Sequence, residues 1–207
     1  MAGKKQFDVG IVLDAAMVQF WQAGYADTSL DDLSRTTGLN RSSIYSSFGD
    51  KDALYLRCLD RYAARYGNRY DQALSRASEE PLQAVRAFFE VTLQRIADPD
   101  VPDGCLIAQT AMATPVLSPA IAARAIEALG FQHARLRTAL NAAKLTEVDA
   151  DDFAVHIMAV NQSLAVMSRT GASQKQLRTV IDISMSALSH ALHARSGDIP
   201  VCKRVSP

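Results

Sequence analysis

Gly38 and Gly49 confine what this chain can build between Thr28 and Tyr55, TSLDDLSRTTGLNRSSIYSSFGDKDALY. Each ends a short run of helical character and is followed closely by a capping residue. The stretch therefore reads as two short helices, a tight turn and the start of a longer helix. Glycine reaches positive φ without a Cβ penalty, which lets the chain turn sharply at Gly38 between packed helices. The first helix begins after a hydroxyl cap at Thr28 or Ser29 and directs Leu30 and Leu33 inward. Asp31 and Asp32 lie in its first turn, where free N–H groups favour negative charge. Asn40 caps the second helix, which opens on Arg41, Ser42 and Ser43 and draws its apolar and aromatic contacts from Ile44, Tyr45 and Phe48. Gly49 ends that helix, and Asp50 caps the one that begins near Lys51.

The rest of the chain is helical by its periodicity. Residues 7–23 place Val9, Val12 or Leu13, Ala16 and Phe20 at helical spacing, with Trp21 and Tyr25 closing that helix against the next and Gly24 as its C-cap. A fourth helix runs from Lys51 into the mid-seventies, with Tyr55, Leu59, Tyr62, Tyr66 and Tyr70 on one side. Arg57, Arg61, Arg65 and Arg69 give it a basic edge that is either solvated, paired or, at its start, available to phosphates. Pro81 starts a fifth helix over 81–97, with Leu82, Val85, Phe89, Leu93 and Ile96 inward. The loop Asp98–Gly104 ends it, Cys105–Ala108 opens a short helix, and Thr114-Pro115 interrupts that. Residues 119–143 follow, with Ile121, Ile126, Leu129, Leu136 and Leu140 available for packing and Gly130 as a loosening point. After a polar connection over 144–152, capped by Asp149 or Asp151, Phe153, Ile157, Val160, Leu164 and Met167 line one long helix. Ser173 caps another that carries Leu177, Ile181, Ser184, Leu188 and Leu192, so the two form a hairpin with apolar surface on more than one side.

A chain of 207 residues with zero formal net charge can bury one substantial core or a small domain plus a larger one. It contains no 18-residue apolar run and no signal-like leader, so neither membrane insertion nor export is expected, and the default compartment is the cytoplasm. Cys58, Cys105 and Cys202 are too few and too irregular for a disulfide framework or a zinc cluster. His190 and His193 sit three apart without further ligands, and His133 and His156 stand alone. Paired acids such as Asp151/Asp152 fall at helix starts. With no P-loop, dinucleotide fingerprint, HExxH, GxSxG or CxxC, an enzyme is not expected, nor a metal or cofactor.

The segment Thr28–Tyr55 resembles the DNA-binding domain of TetR-type bacterial regulators. The resemblance extends through Val12, Ala15, Ala16, Phe20, Trp21, Gly24, Tyr25, Thr28, Leu33, Gly38, Ile44, Tyr45, Phe48, Lys51, Leu54 and Leu56, over the first quarter to third of the chain. It implies an all-α fold of about nine helices, with a three-helix helix-turn-helix domain over 1–52 and a helical ligand-binding and dimerisation domain over 53–207. It also implies a homodimer, joined through a four-helix interface, that binds a pseudo-palindromic double-stranded operator. Ser42 and Ser43 are then candidates for base edges, and Arg41 for a base edge or a phosphate. Thr28, Tyr45 and Lys51 are candidates for phosphates, with Lys4 and Lys5 as a basic tail.

Release by a small apolar or amphipathic effector is implied by the same resemblance. Phe89, Leu93, Met112, Phe131, Phe153, Met158 and Met167 are candidate walls of its cavity or ordinary core. The GCLI run at Gly104–Ile107 resembles a segment in a subset of these regulators. Cys105, near a helix start, is either a redox sensor or an inert thiol. The alternative to an effector is control by a partner protein or by oxidation of that cysteine.

Overall fold

Capping side chains set the helix boundaries in the first third of the computed structural model, which describes residues 7–143 and 147–195. Asp8 accepts from the Gly10 and Ile11 amides to start α1 (Val9–Ala23). Ser29 and Asp32 form a reciprocal capping box at the head of α2 (Leu30–Thr37), and Gly38 closes that helix in the left-handed conformation at φ 70°. Asn40 accepts from the Ser43 amide to begin α3 (Arg41–Phe48), and Asp50 accepts from the Ala53 amide to begin α4 (Lys51–Leu74). These three helix starts and both glycine stops stand where the sequence puts them.

Proline at the first turn opens α5 (Pro81–Ala97) and α7 (Pro119–Ala142). Between them lie α6 (Leu106–Met112) and a single 3-10 turn at Thr114–Val116. The described residues end in α8 (Glu147–Arg169) and α9 (Gln174–Arg195), joined by a turn in which Ser173 and Gln176 cap each other. The fold is all-α, with nine α-helices among the described residues.

One hydrophobic core runs the length of the chain. Phe20, Leu33, Ile44 and Leu54 seal the first three helices against α4, and Val85, Phe88, Leu106, Leu136, Ile157 and Leu164 continue the same cluster. The tyrosine stripe of α4 is buried, and its rings pair with neighbours: Tyr55 meets Phe20 edge-on, and Tyr62 and Tyr66 meet Trp21. Helix α4 thus belongs to both parts of the molecule, packing on α1 along one side and on α5 and α7 along the other.

Several expectations are corrected. Val9 is exposed, because α1 begins there and its inward face starts at Val12. Ile126 also faces out, and α7 passes through Gly130 without a break. Helix α8 is already formed at Glu147, so Asp149 and Asp151 lie inside it and not ahead of its start. Lys4, Lys5, Cys202 and the side chain of His193 lie outside the described residues. No helix among the described residues is long and apolar enough to cross a membrane.

Candidate functional site

Helix α3 buries only Ile44 and Phe48 and turns Arg41, Ser42, Tyr45, Ser46 and Ser47 to solvent. Eight residues give it little stability of its own, so the Asn40 cap and the contact of Phe48 with Phe7 hold it in place. Tyr45 is half exposed. Arg41 lies back along α2, where its Nε and Nη2 donate to the two Asp31 oxygens at 2.9 and 2.6 Å. That pairing holds the Asp31 carboxyl below the usual carboxylate range. Both partners are solvated, so the pair is weak and its guanidinium can be redirected.

Lys51 stands at the start of α4 with its ammonium 4.2 Å from the centroid of the Tyr25 ring. Partial burial there pulls its pKa down from the ordinary lysine value. The Tyr25 hydroxyl donates to Asp52, and burial together with that carboxylate raises the phenol. Arg57, one turn and a half along α4, is exposed and lies over the Phe48 ring at 4.9 Å.

Thr28 does not join this surface. It is fully buried and its hydroxyl donates to the Gly24 carbonyl at 2.6 Å, which locks the turn between α1 and α2. Ser29 takes the capping role, so Thr28 has neither of the functions considered for it. Ser46 and Ser47 were not singled out by the sequence reading. Their signal is the helical spacing from Ser42 and Ser43, which keeps them on the polar side of α3.

Below α2 and α3 a layer of contacts joins α1 to the larger domain. Trp21 Nε1 donates to the Asp103 carbonyl at 3.1 Å. Arg169, the last residue of α8, donates through Nη2 to the Trp21 carbonyl at 2.8 Å and through Nε to the Asp103 carbonyl at 3.2 Å. Its charge satisfies otherwise open carbonyls at the C-terminal end of α1. Gly104 is pinned from both sides: its amide donates to Ser168 Oγ at 3.0 Å, and its carbonyl accepts from Arg95 Nη1. At φ 89°, and with Arg169 side-chain atoms 2.9 Å from where a Cβ would stand, that position admits only glycine.

A cavity of about 50 Å³ lies behind this layer, enclosed by Tyr62, Tyr66 and Tyr70 of α4, Arg95 of α5, Cys105, Gln132 and Arg135 of α7, and Asn161 of α8. Burial pushes the Tyr62 phenol well above its usual range and raises that of Tyr66. Tyr70 donates to Thr92, and the Thr92 hydroxyl donates in turn to Asn161 Oδ1 at 2.6 Å. Arg135 lies against α4 at Gly67, where an added Cβ would meet its Nη2 at 2.9 Å, and pairs with Asp71 one turn further along the same helix. Cys105 is half-buried in the cavity wall and accepts from the Tyr62 hydroxyl at 3.3 Å.

None of the seven apolar wall candidates lines this cavity. Phe89 and Leu93 are core, while Phe153, Met158 and Met167 pack partly buried against it. Met112 is exposed, and Phe131 borders a separate shallow groove beside Leu74 and Ala77. The cavity wall is instead the inward tyrosine stripe, and Arg95 was missed entirely. Its signal is positional: Val85, Phe88, Thr92 and Arg95 share one face at helical spacing, so the arginine falls in a buried row.

Residues 12–58 match the family described as bacterial regulatory proteins, tetR family. Residues 81–183 match the C-terminal domain of LmrA/YxaF-like transcriptional regulators. The HTH-type transcriptional repressor ComR of Escherichia coli is 34% identical over 103 residues, a match that spans 50% of this chain and only 49% of ComR. The uncharacterized HTH-type transcriptional regulator YezE of Bacillus subtilis is 28% identical over 91% of this chain and 100% of its own. In fold, the chain resembles a cysteine mutant of the TetR family regulator CifR, solved with double-strand operator DNA, at a TM-score of 0.77 and 24% identity, covering 89% of this chain and 98% of that one. It also resembles a TetR regulator from Chloroflexus aurantiacus, at a TM-score of 0.76 and 24% identity, covering 86% of this chain and 92% of that one. A helix-turn-helix head and a helical second domain, each matched by its own family description in the same order, show that the chain belongs to the TetR family of DNA-binding transcriptional regulators and is not an enzyme.

Proposed function

We propose that the chain is a homodimeric repressor that grips a pseudo-palindromic operator with two copies of α3 and lets go when a small molecule occupies the cavity beneath α4. The observation that carries the first half is the exposed polar face of a short helix held rigid at both ends by its caps. In this reading Ser42, Ser43 and Arg41 meet base edges, the last by leaving Asp31, while Tyr45 and Lys51 meet phosphates. Arg57, exposed at the same end of α4, joins them on the backbone.

Dimerisation is supported by apolar residues left outside on the C-terminal hairpin. Val155, Ala159 and Val166 of α8 are exposed at helical spacing, as are Ile183 and Ala187 of α9. Small side chains between larger ones suit close packing of a helix pair on its two-fold copy.

Release requires an effector that binds two head positions with different free energy. The contacts that support this reading run from the cavity through Arg95 and Gly104 to Asp103 and Trp21 at the base of α1.

Footprinting on the DNA upstream of its own gene tests the proposal. An inverted repeat is expected to be protected by the wild-type protein and not by a Tyr45→Phe, Lys51→Ala double variant. Loss of Lys51 removes about one unit per protomer from the slope of log affinity against log salt. Equal protection by both proteins, with equal salt dependence, would overturn the assignment of these residues to the phosphate backbone.

A further inference from the structure

Arg95 is the one cavity residue whose chemistry is unfinished. Only 2% of it is exposed, its Nη1 is taken by the Gly104 carbonyl, and its Nε finds no hydrogen-bond partner. Trp21 and Tyr66 offer ring faces at 5.8 and 5.6 Å from the guanidinium carbon. Among the described residues no carboxylate comes within ion-pair distance of it, and the groups that act on it most are Tyr62, Cys105, Tyr70 and Tyr66. Tyr62 and Tyr66 stay neutral near pH 7, because burial raises both phenols. The surface arginines of this fold mostly stand against acids, as Arg61, Arg124, Arg135 and Arg178 do. A buried guanidinium without an acid partner is costly, and that cost is relieved when an anion arrives.

The cavity wall says what kind of anion. Its lining contains Arg95 and Arg135 and neither Asp nor Glu; Arg135 is already paired with Asp71, so Arg95 is the guanidinium left to receive an anion. Phenol rings and Leu129 supply flat apolar contact, and Gln132 and Asn161 supply amides. The free Nε edge of Arg95 fits the two oxygens of a carboxylate side-on, the bidentate geometry that distinguishes arginine from a point charge.

We infer that the effector is a small carboxylic acid with an aromatic or flat apolar body, its carboxylate seated on the Nε edge of Arg95 and its body between the α4 tyrosines and α7. This rests on the reading of the cavity as the effector site. Occupation neutralises the same guanidinium that holds the Gly104 carbonyl, next to the Asp103 carbonyl on which Trp21 depends. The acid therefore binds at the cavity end of the contacts that lead to the reading head.

The test uses the full chain and three pairs of probes: benzoate, phenylacetate and 3-phenylpropanoate, each against its uncharged amide. Thermal shift and calorimetric titration are run on the wild type, Arg95→Met and Arg95→Lys. At least one acid is expected to raise the wild-type Tm while its amide does not. Its affinity should fall by more than about tenfold in Arg95→Met and by less in Arg95→Lys. An amide that binds as well as its acid would overturn the inference, as would an Arg95→Met variant that keeps the wild-type affinity. So would the absence of any acid binding to the wild type at about 10 mM. If Arg95→Met fails to fold, the acid–amide comparison on the wild type and the Arg95→Lys titration still decide. Operator release is scored separately. If every acid that binds, the longest included, leaves DNA bound, the anion site stands and effector control is overturned, whereas release by amides alone keeps effector control and overturns the anion site.

Discussion

Asp14 gathers two members of the basic edge of α4. Arg61 reaches both of its oxygens at 2.7 Å and Arg65 reaches one at 2.6 Å, so of the roles open to that edge, pairing is the one these two take. The hydrogen bond from Arg61, opposed by some burial and aided by Arg65, lowers the Asp14 pKa from 3.8. A depressed folded-state pKa contributes stability that is complete above the unfolded value and is lost as pH falls through the folded one. Because the carboxylate is more than a third exposed, the contribution is screened to no more than about 1 kcal/mol. Asp14→Asn is therefore expected to unfold at slightly lower urea than the wild type at pH 7. The two should converge when the same titration is made in acid, below the folded value. A gap that persists in acid would mean that packing, and not charge, accounts for it. At this scale the pairings could not be read from the chain: Asp14 and Arg61 are 47 residues apart, and only the crossing of α1 over α4 brings them together.

Helices α2 to α5 start at the residues that the sequence nominates, because each start carries a local signal: a side-chain oxygen two or three residues before an open amide, or a proline that needs none. Asn40 is the most consequential of them, since α3 has only eight residues. Asn40→Ala should cost about 1 kcal/mol of stability. Operator affinity should fall further than that loss of global stability accounts for, because the freed Ser43 amide lies in the reading turn. Denaturant melts and binding isotherms of the same preparation check both, and an affinity unchanged from wild type would show that α3 is held by packing alone. Helix α8 was misjudged at its start because acids inside a helix look like acids that cap one. The space beneath α4 could not be read from the chain for a different reason. Apolar stripes on α5, α7 and α8 specify inward faces, but whether an inward residue packs or borders space depends on how five helices, α4 to α8, meet. Phe88 and Phe89 fill the interior, and the cavity persists where Tyr hydroxyls, amides and Arg95 must keep polar company.

The whole molecule leaves apolar residues on the outer side of α8 and α9 that a single chain does not cover. Ile183 is 69% exposed, and Ile183→Glu places a charge at the centre of the proposed two-fold contact. Sedimentation should then report a monomer in place of a dimer, with unchanged helicity and weakened operator binding, since one head alone spans one half-site. A dimer that survives the change would move the interface elsewhere. Trp21 packs edge-on against Tyr62 at 5.1 Å and Tyr66 at 6.3 Å, and both tyrosines also border the cavity. The partition between chamber and reading head is therefore one ring thick. A guest that slips in without moving either ring stabilises both head positions alike and, by linkage, leaves the operator untouched however tightly it binds. A bulkier guest on the same anchor has to push the rings aside, and the indole behind them goes too. Agonism and antagonism in such a protein would be separated by a few cubic ångströms of ligand bulk, with the carboxylate common to both.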